Sequence, residues 1–494
     1  MSECGEESTA PTPAARPAAA TPGADTPVAA PTATPTAPLP RTQAPATGSA
    51  ADTIALLRAL IREACVNDGS VGSGQEIRSV RVLQRFLADA VATGRVETHV
   101  LESAPGRASL VARLRGTGTG TGTGTDPDAP SLGLLGHLDV VPVDPDGWTR
   151  NPFGGDLIDG EIWGRGAVDM LYLTAAFACV LRDAALAPEP PRGDLVLIAV
   201  ADEEGGGEYG IHWLVRQHPE VVRVTEALSE SGGMRMGRHV AIEVAEKGSA
   251  GRRLVIHGKP GHASIPYGAK SASYRVGEVL QRLGEVMPAA QLGPLWNAFV
   301  SARIQDPALA ERLRDPVRLD AALPHLGGIA GYAHAVSRIT MSPTVLRAGM
   351  THNVIPAMGT IDLDIRTLPG TTDAEVDHLL RVVLGPLADD IEIEHLRGWA
   401  ATTSPSDTPL FAAIERAVAA VADAPVVPIM AAGGSDARVL RELGIPAYGF
   451  GLLGPDWSYE RYREGVHGND ERIDVESVTL SLAALQRIVA DRLA

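Results

Sequence analysis

Two apolar runs that end in chemistry-bearing residues constrain this chain more than any other feature. LGLLGHLDVV begins at Leu132 and DLVLIAVADEEG begins at Asp194. Neither run alternates between apolar and polar residues. Strands of this kind are buried on both faces, which requires helices on both sides of a largely parallel sheet. The helical stretch LTAAFACVLRDAA lies between them, and another runs from Tyr209 to His218. The expected fold class is therefore α/β. Open α/β sheets place their sites beyond the carboxyl ends of the strands. That is where these runs turn polar, at His137 and Asp139 in the first and at Glu203 and Glu204 in the second.

The rest of the chain sorts around this frame. Residues 1 to about 50 are mostly Pro, Ala and Thr, which bury too little apolar surface to offset ordering entropy, so a disordered tail is expected. Thr53 to Ala64 and Gln75 to Val91 carry helical apolar spacing. The Gly-Thr repeat from Gly116 to Thr125 reads as a flexible hairpin-like connection. Near Glu246 the pattern changes. RRLVIHG, a helix from about Ala269 to Val286, TVLRAGM, GTIDLDIRTLPG, a helix at Ala374 to Leu384 and IEIEHL follow in β-α-β-β-α-β order. That is a ferredoxin-like split, interrupted by an irregular helical insertion from about Gln291 to Ser337. Helices at Leu410 to Ala422 and from Val475 onward restore the α/β pattern. A larger domain over 51–246 and 398–494, with a smaller one over 247–397 inserted into it, is expected.

Composition excludes some functions. A formal net charge of −17 repels phosphate backbones and anionic bilayers, so neither nucleic acid nor membrane is an expected partner. No apolar run reaches the roughly 18 residues of a membrane span. The start MSECGEESTAPTP lacks the basic and apolar segments of a secretory signal. The cysteines, Cys4, Cys65 and Cys179, are odd in number and unpaired in spacing, which fits a reducing cytoplasm.

Five places along the chain supply the parts of a two-metal hydrolase. Such a site needs carboxylates and imidazoles around two cations about 3.5–4 Å apart, one carboxylate between them, and another off the metals to take a proton. In His137-Leu138-Asp139, strand geometry puts positions i and i+2 on one side, so Asp139 can accept the second ring N–H of His137. GRGAVDM ends in Asp169, where glycines allow close backbone approach. Glu203 and Glu204 are adjacent carboxylates, costly to keep ionised together without a cation. Glu230 follows a short apolar run, and His467 sits in EGVHGNDERI. Each alone is equally a turn, a cap or a solvated acidic face.

Together, in this order, they resemble the zinc peptidase family of aminoacylase, glutamate carboxypeptidase, succinyl-diaminopimelate desuccinylase and carnosinase-type dipeptidases (peptidase family M20). The matching strings are GHLDVVP, WTRNPFGG, GEIWGRGAVDM, ADEEGG, EKGSAGRRLVIHGKPGHAS, HNVIPA, LDIRTLPG, GGSDAR and EGVHGNDERI, from about residue 53 to the end. The resemblance implies a catalytic domain with a central mixed sheet and an inserted lid that pairs two subunits into a homodimer. It implies that His137, Asp169 and Glu230 hold one zinc ion and Asp169, Glu204 and His467 the other. Manganese or cobalt would suit the same ligands. It implies that Glu203 is the general base and then the acid, that Asp139 orients His137, and that His262 reaches a partner's site to stabilise the oxyanion. Asn353, Arg366 and the backbone at Gly434 and Ser435 are implied to line the carboxylate or carbonyl of a small peptide or N-acyl amino acid. From the residues alone, Arg366 is equally a salt-bridge partner of Asp362 or Asp364, His262 equally an exposed turn residue, and Arg438 a helix-surface residue. The expected reaction is cleavage of an amide beside a carboxylate, of carboxypeptidase, dipeptidase or N-acyl-amino-acid amidohydrolase type. The alternatives are an aminopeptidase of the same broader group and a catalytically silent binding protein. Two departures stand out. Leu171-Tyr172 replaces the usual Lys-Gly after Asp169-Met170, and Ser231 follows Glu230 where many relatives carry Gly.

Overall fold

A computed structural model describes residues 49–70, 72–118 and 129–494. The expected tail and most of the Gly-Thr repeat lie outside these residues.

The large sheet is mixed. Its strands run Val96–Ala104, Arg107–Leu114, Asp194–Val200, Ser131–His137, Glu226–Ser229, Ala447–Gly449, His239–Glu246 and Thr402–Thr403 across the sheet. Val426–Ala431 also pairs with His239–Glu246, in parallel. The central four, from Asp194–Val200 to Ala447–Gly449, are mutually parallel. Their carboxyl ends therefore open on one edge.

The unbroken apolar runs follow from double coverage. Every residue of Asp194–Val200 is buried, but successive side chains enter different cores. Leu195, Leu197 and Ala199 pack in the core that includes helices Leu171–Leu186 and Val475–Arg492. Val196, Ile198 and Val200 pack in the one with Ile211, Leu214, Val439 and Leu440. This arrangement makes the run uniformly apolar.

A second sheet is wholly antiparallel, with Thr340–Ala348, Met358–Thr367, Gly248–His257 and Ile391–Trp399 side by side. Helices Ala272–Glu285 and Asp373–Leu384 complete the β-α-β-β-α-β order, and the spatial order is that of a ferredoxin-like split. Met358–Thr367 alternates strictly, burying Ile361, Leu363 and Ile365 in a core of its own.

The insertion forms helices, including Pro294–Arg303 and Ala330–Val336. Although it interrupts the smaller unit in sequence, its Trp296, Phe299, Val300 and Tyr332 join the core of the large sheet. Tyr332 donates to the carbonyl of Met430 at 3.0 Å. Its ring meets Phe299 and Tyr459 at centroid distances of 5.7 and 4.5 Å. Tyr459 begins the helix Tyr459–Gly465, just before His467. Scarce aromatics are thus concentrated where the insertion braces that helix.

Among the described residues no helix is long and apolar enough to cross a membrane. Cys65 and Cys179 are buried free thiols.

Removing the Phe299 ring should expose the insertion's dependence on the large core. Phe299→Ala is expected to lower unfolding free energy by about 3–5 kcal/mol, the range for large buried aromatics. Urea denaturation would report it as a lower midpoint, with hydrogen-exchange protection of the second sheet retained. An unchanged midpoint would refute the packing described.

Candidate active site

The parallel strands deliver their ends to one place. His137 is the last residue of Ser131–His137, and Glu230 follows Glu226–Ser229 directly. Glu203 and Glu204 stand just beyond Asp194–Val200. Gly449, on the neighbouring strand, permits the close approach, since an added Cβ there would collide with the main-chain carbonyl of Glu230.

Asp169 lies between the two histidines. Its Oδ1 is 3.2 Å from His137 Nε2, and its Oδ2 is 3.2 Å from His467 Nε2. Glu230 Oε2 is 3.5 Å from His137 Nε2, and Glu204 Oε2 is 3.2 Å from His467 Nε2. Two groups of potential ligand atoms result, His137–Asp169–Glu230 and Asp169–Glu204–His467, each with its atoms within 4.8 Å of one another. Asp169 belongs to both, and Glu203 belongs to neither.

The electrostatics are those of crowded like charges. Burial pushes the Glu230 carboxyl up to about 8, against the pull of His137. Burial also raises Glu204 and carries Glu203 far above the carboxylate range, with Glu230 adding to the effect on Glu203. Asp169 is lowered despite its burial, because both imidazoles hydrogen-bond to it. Its hydrogen bonding to the Asp169 and Glu204 carboxylates lifts His467 to about 10.

Asp139 corrects an expectation. His137 Nδ1 is 2.9 Å from the main-chain oxygen of Asp139 and 3.7 Å from its carboxylate. The ring tautomer is therefore set by the backbone. The carboxylate instead accepts the main-chain N–H groups of Glu203 and Glu204, each at 3.1 Å.

The remaining expected residues lie apart from the two ligand groups. His262 is exposed on the short strand Gly261–His262, its Nδ1 bonded to Ser264 Oγ at 2.7 Å. Asn353 sits beside it, its carbonyl accepting from Ala263 N–H at 3.0 Å. Arg366 is paired with Asp364 through two bonds of 2.8 and 3.0 Å, so the salt-bridge alternative is the one present. Ser435 gives both its N–H and its hydroxyl to Glu246, at 2.9 and 2.6 Å, leaving neither donor free. Gly434 packs against Trp399. Arg438 is not on a helix surface: it is buried, with its guanidinium 4.9 Å from the Trp399 ring centroid. Arg366 also meets that ring, at 5.5 Å.

The two departures have physical consequences. Tyr172 is fully buried, and its hydroxyl occupies space that a side chain at Gly451 would need. Ser231 has φ 73°, a conformation natural for glycine, and accepts a bond from Tyr462 Oη at 3.2 Å.

Sequence reasoning missed Glu471. This buried carboxylate accepts from the N–H groups of Gly166, Val168 and Asp169 at 3.1, 2.7 and 3.1 Å, and from Arg165 at 2.7 Å. Arg165 also donates to the His467 carbonyl at 3.2 Å. Glu471 thereby ties the Asp169 turn to the His467 loop. Its place within EGVHGNDERI was the available signal.

The profile of peptidase family M20/M25/M40 matches residues 133–491. The chain belongs to that family. It is 28% identical over 372 residues to a succinyl-diaminopimelate desuccinylase of Cereibacter sphaeroides, covering 73% of this chain and 83% of that one. It is 27% identical over 369 residues to an N-fatty-acyl-amino acid synthase/hydrolase of Xenopus tropicalis, covering 70% and 69%. The fold matches the M20 family metallo-carboxypeptidase Sso-CP2 of Sulfolobus solfataricus with TM-score 0.65 at 16% identity, over 90% of this chain and 99% of that one.

For this M20 hydrolase the donor set fits cations. Each ligand group joins two carboxylates to one imidazole. Glu204 Oε1 is buried and has no protein partner. Nitrogen and oxygen ligands of this kind suit zinc and its first-row neighbours.

Stripping metal with a chelator should therefore lower the melting temperature. Restoring zinc to 100 times its Kd should add about 2.7 kcal/mol of stability relative to the metal-free chain. A melting curve indifferent to both treatments would remove the metal site.

Proposed function

We propose that this protein is a two-zinc amidohydrolase that cleaves an amide or peptide bond beside a carboxylate in a small peptide or N-acyl amino acid. The observation that carries the reading is Asp169, which turns one oxygen toward His137 and the other toward His467. A carboxylate placed in this way suits two cations, with manganese or cobalt as substitutes for zinc.

In this reading His137, Asp169 and Glu230 hold one ion, and Asp169, Glu204 and His467 hold the other. Bound there, the pair would polarise the scissile carbonyl and acidify the attacking water. Glu203, outside both ligand groups, takes the proton from that water and passes it to the departing nitrogen.

The smaller sheet acts as the lid and pairs two subunits into a homodimer. His262 donates to the oxyanion in the partner's site, with Asn353 beside it. Arg366 takes the substrate carboxylate by exchanging Asp364 for it. Both side chains are about one-third exposed, and exposed pairs contribute only about 0–1 kcal/mol, so the exchange is cheap. Gly434 supplies main-chain contacts, while Ser435 holds Glu246.

Glu203→Ala should retain two equivalents of metal and lose activity by on the order of 10²–10⁴-fold, the usual contribution of a general base. Retained turnover would rule out Glu203 as the base. The substrate class is tested by comparing N-acyl amino acids, dipeptides and carboxyl-blocked peptides with zinc, manganese and cobalt. Preference for blocked carboxylates would favour the aminopeptidase alternative. Turnover of none by a fully loaded protein would favour a silent binding protein.

A further inference from the structure

The Glu203–Glu204 pair can serve two roles only if the turn carrying it is fixed, because one carboxylate must reach metal while its neighbour stays off it. Asp139 grips this turn by accepting both of its main-chain N–H groups at 3.1 Å. A side-chain carboxylate can rotate, so something must hold Asp139 in turn.

That partner is Asn67. Its Nδ2 donates to Asp139 Oδ2 at 2.8 Å and to Asp202 Oδ1 at 3.0 Å. Asp202 directly precedes the pair and has φ 68°. One amide nitrogen thus uses both protons on the carboxylates that flank Glu203–Glu204. The amide cannot reverse without loss, since Asn67 Oδ1 accepts from Gly69 N–H at 3.0 Å and Ser73 Oγ at 3.2 Å. Behind it, Arg107 donates to Asp202 Oδ1 at 2.7 Å and to Glu76 at 3.1 and 3.0 Å. Tyr209 N–H completes Asp202 at 2.9 Å. Asn67, Glu76, Arg107, Asp139 and Asp202 are all buried.

The charges explain why an amide is needed. Asp139, Asp202 and Glu76 bring three carboxylates to this cluster, and Arg107 brings one guanidinium. Without the two amide donors, Asp139 and Asp202 would face each other as like charges in a poorly solvated space. Rotation of Asp139 away from Asp202 would release the Glu203–Glu204 turn.

We propose that Asn67, backed by Arg107, is a positioning residue for the general base: it locks Asp139 and Asp202 and so sets the direction of Glu203. The inference rests on the proposed role of Glu203. Asn67, Glu76 and Arg107 all precede residue 133, where the family match begins.

The test uses the zinc-loaded full chain and the substrate that the wild-type protein turns over best, with Asn67→Ala and the similar-sized Asn67→Leu beside Glu203→Ala. Both Asn67 variants should lose kcat by about 10–100-fold, the scale of a small misplacement of a reacting group. KM should stay within about threefold and metal at two equivalents. Hydrogen exchange in the peptide spanning residues 201–210 should quicken, because the Glu203 and Glu204 amides lose their fixed acceptor. In an Asp139→Asn background the Asn67→Ala loss should shrink, since the cycle removes the shared partner. Asn67→Gln, which keeps the donors, should recover part of the rate; it also replaces Asn67→Ala should that variant fail to fold. Wild-type kcat and exchange in the Asn67 variants would overturn the proposal, as would a kcat loss that merely tracks lost metal. Glu203→Ala separates the two ideas. If it keeps full activity, the proposed base fails; if it is inactive while Asn67→Ala is unaffected, only the positioning role fails.

Discussion

Asp169 imposes the constraint around which this molecule is arranged. A single half-buried carboxylate faces two imidazoles more than three hundred residues apart in the chain. Glu204 and Glu230 add further negative charge beside it, and the low dielectric of a buried site magnifies repulsion. The fold answers with rigid backbone. Glu471 gathers the N–H groups of Gly166, Val168 and Asp169, while Arg165 links that turn to the His467 carbonyl. On the opposite wall Asp139 performs the same service for Glu203 and Glu204. Two buried carboxylates that bind backbone rather than substrate thus hold in place the carboxylates available to cations.

The parallel sheet makes this economical. Four neighbouring strands end on one edge, and each of three contributes its terminal residues to the site. Their double burial fixes each strand between two cores, so an end residue inherits the position of the whole sheet. His467 has no strand behind it. It lies in a loop with φ 59°, and its approach is supported by Glu471 and by the helix Tyr459–Gly465, against which the insertion stacks Tyr332. The insertion therefore substitutes for the missing strand, and this gives a physical reason for its packing on the large core rather than on the second sheet.

The ligand side chains were legible in the sequence because they occur where an apolar run stops, a pattern created by the sheet itself. That rule placed His137, Glu204 and Glu230 at strand ends, while their roles as ligands came from the family resemblance. The ferredoxin-like order was legible for the same reason, since alternation in Met358–Thr367 records one buried face. What was not legible depended on pairing across distance. Nothing in RASLVARL announces that Arg107 reaches Asp202, and Asn67 looks like any loop asparagine. Asp139 misled for a subtler reason. The i, i+2 rule correctly placed it beside His137, but the ring found the main-chain carbonyl closer than the carboxylate. The bond from Ser435 to Glu246 was not legible either, because the two are nearly two hundred residues apart.

Trp399 joins these parts. It is the last residue of the edge strand Ile391–Trp399, where the second sheet returns to the first. Its ring is shared by Arg366 of the second sheet and Arg438 of the helix Ala437–Glu442. Two guanidinia repel, but an aromatic face attracts each of them, so the indole lets both cations stand at the junction. Arg438 is further fixed by the Ser435 carbonyl at 2.7 Å, whereas Arg366 pairs with the more exposed Asp364. Arg438 stands on a helix whose Val439 and Leu440 pack in the core of the large sheet, and Arg366 stands on the small sheet. Because Arg366 and Trp399 both stand on the second sheet while Arg438 does not, a shift of that sheet would move the ring and one of its two cations together.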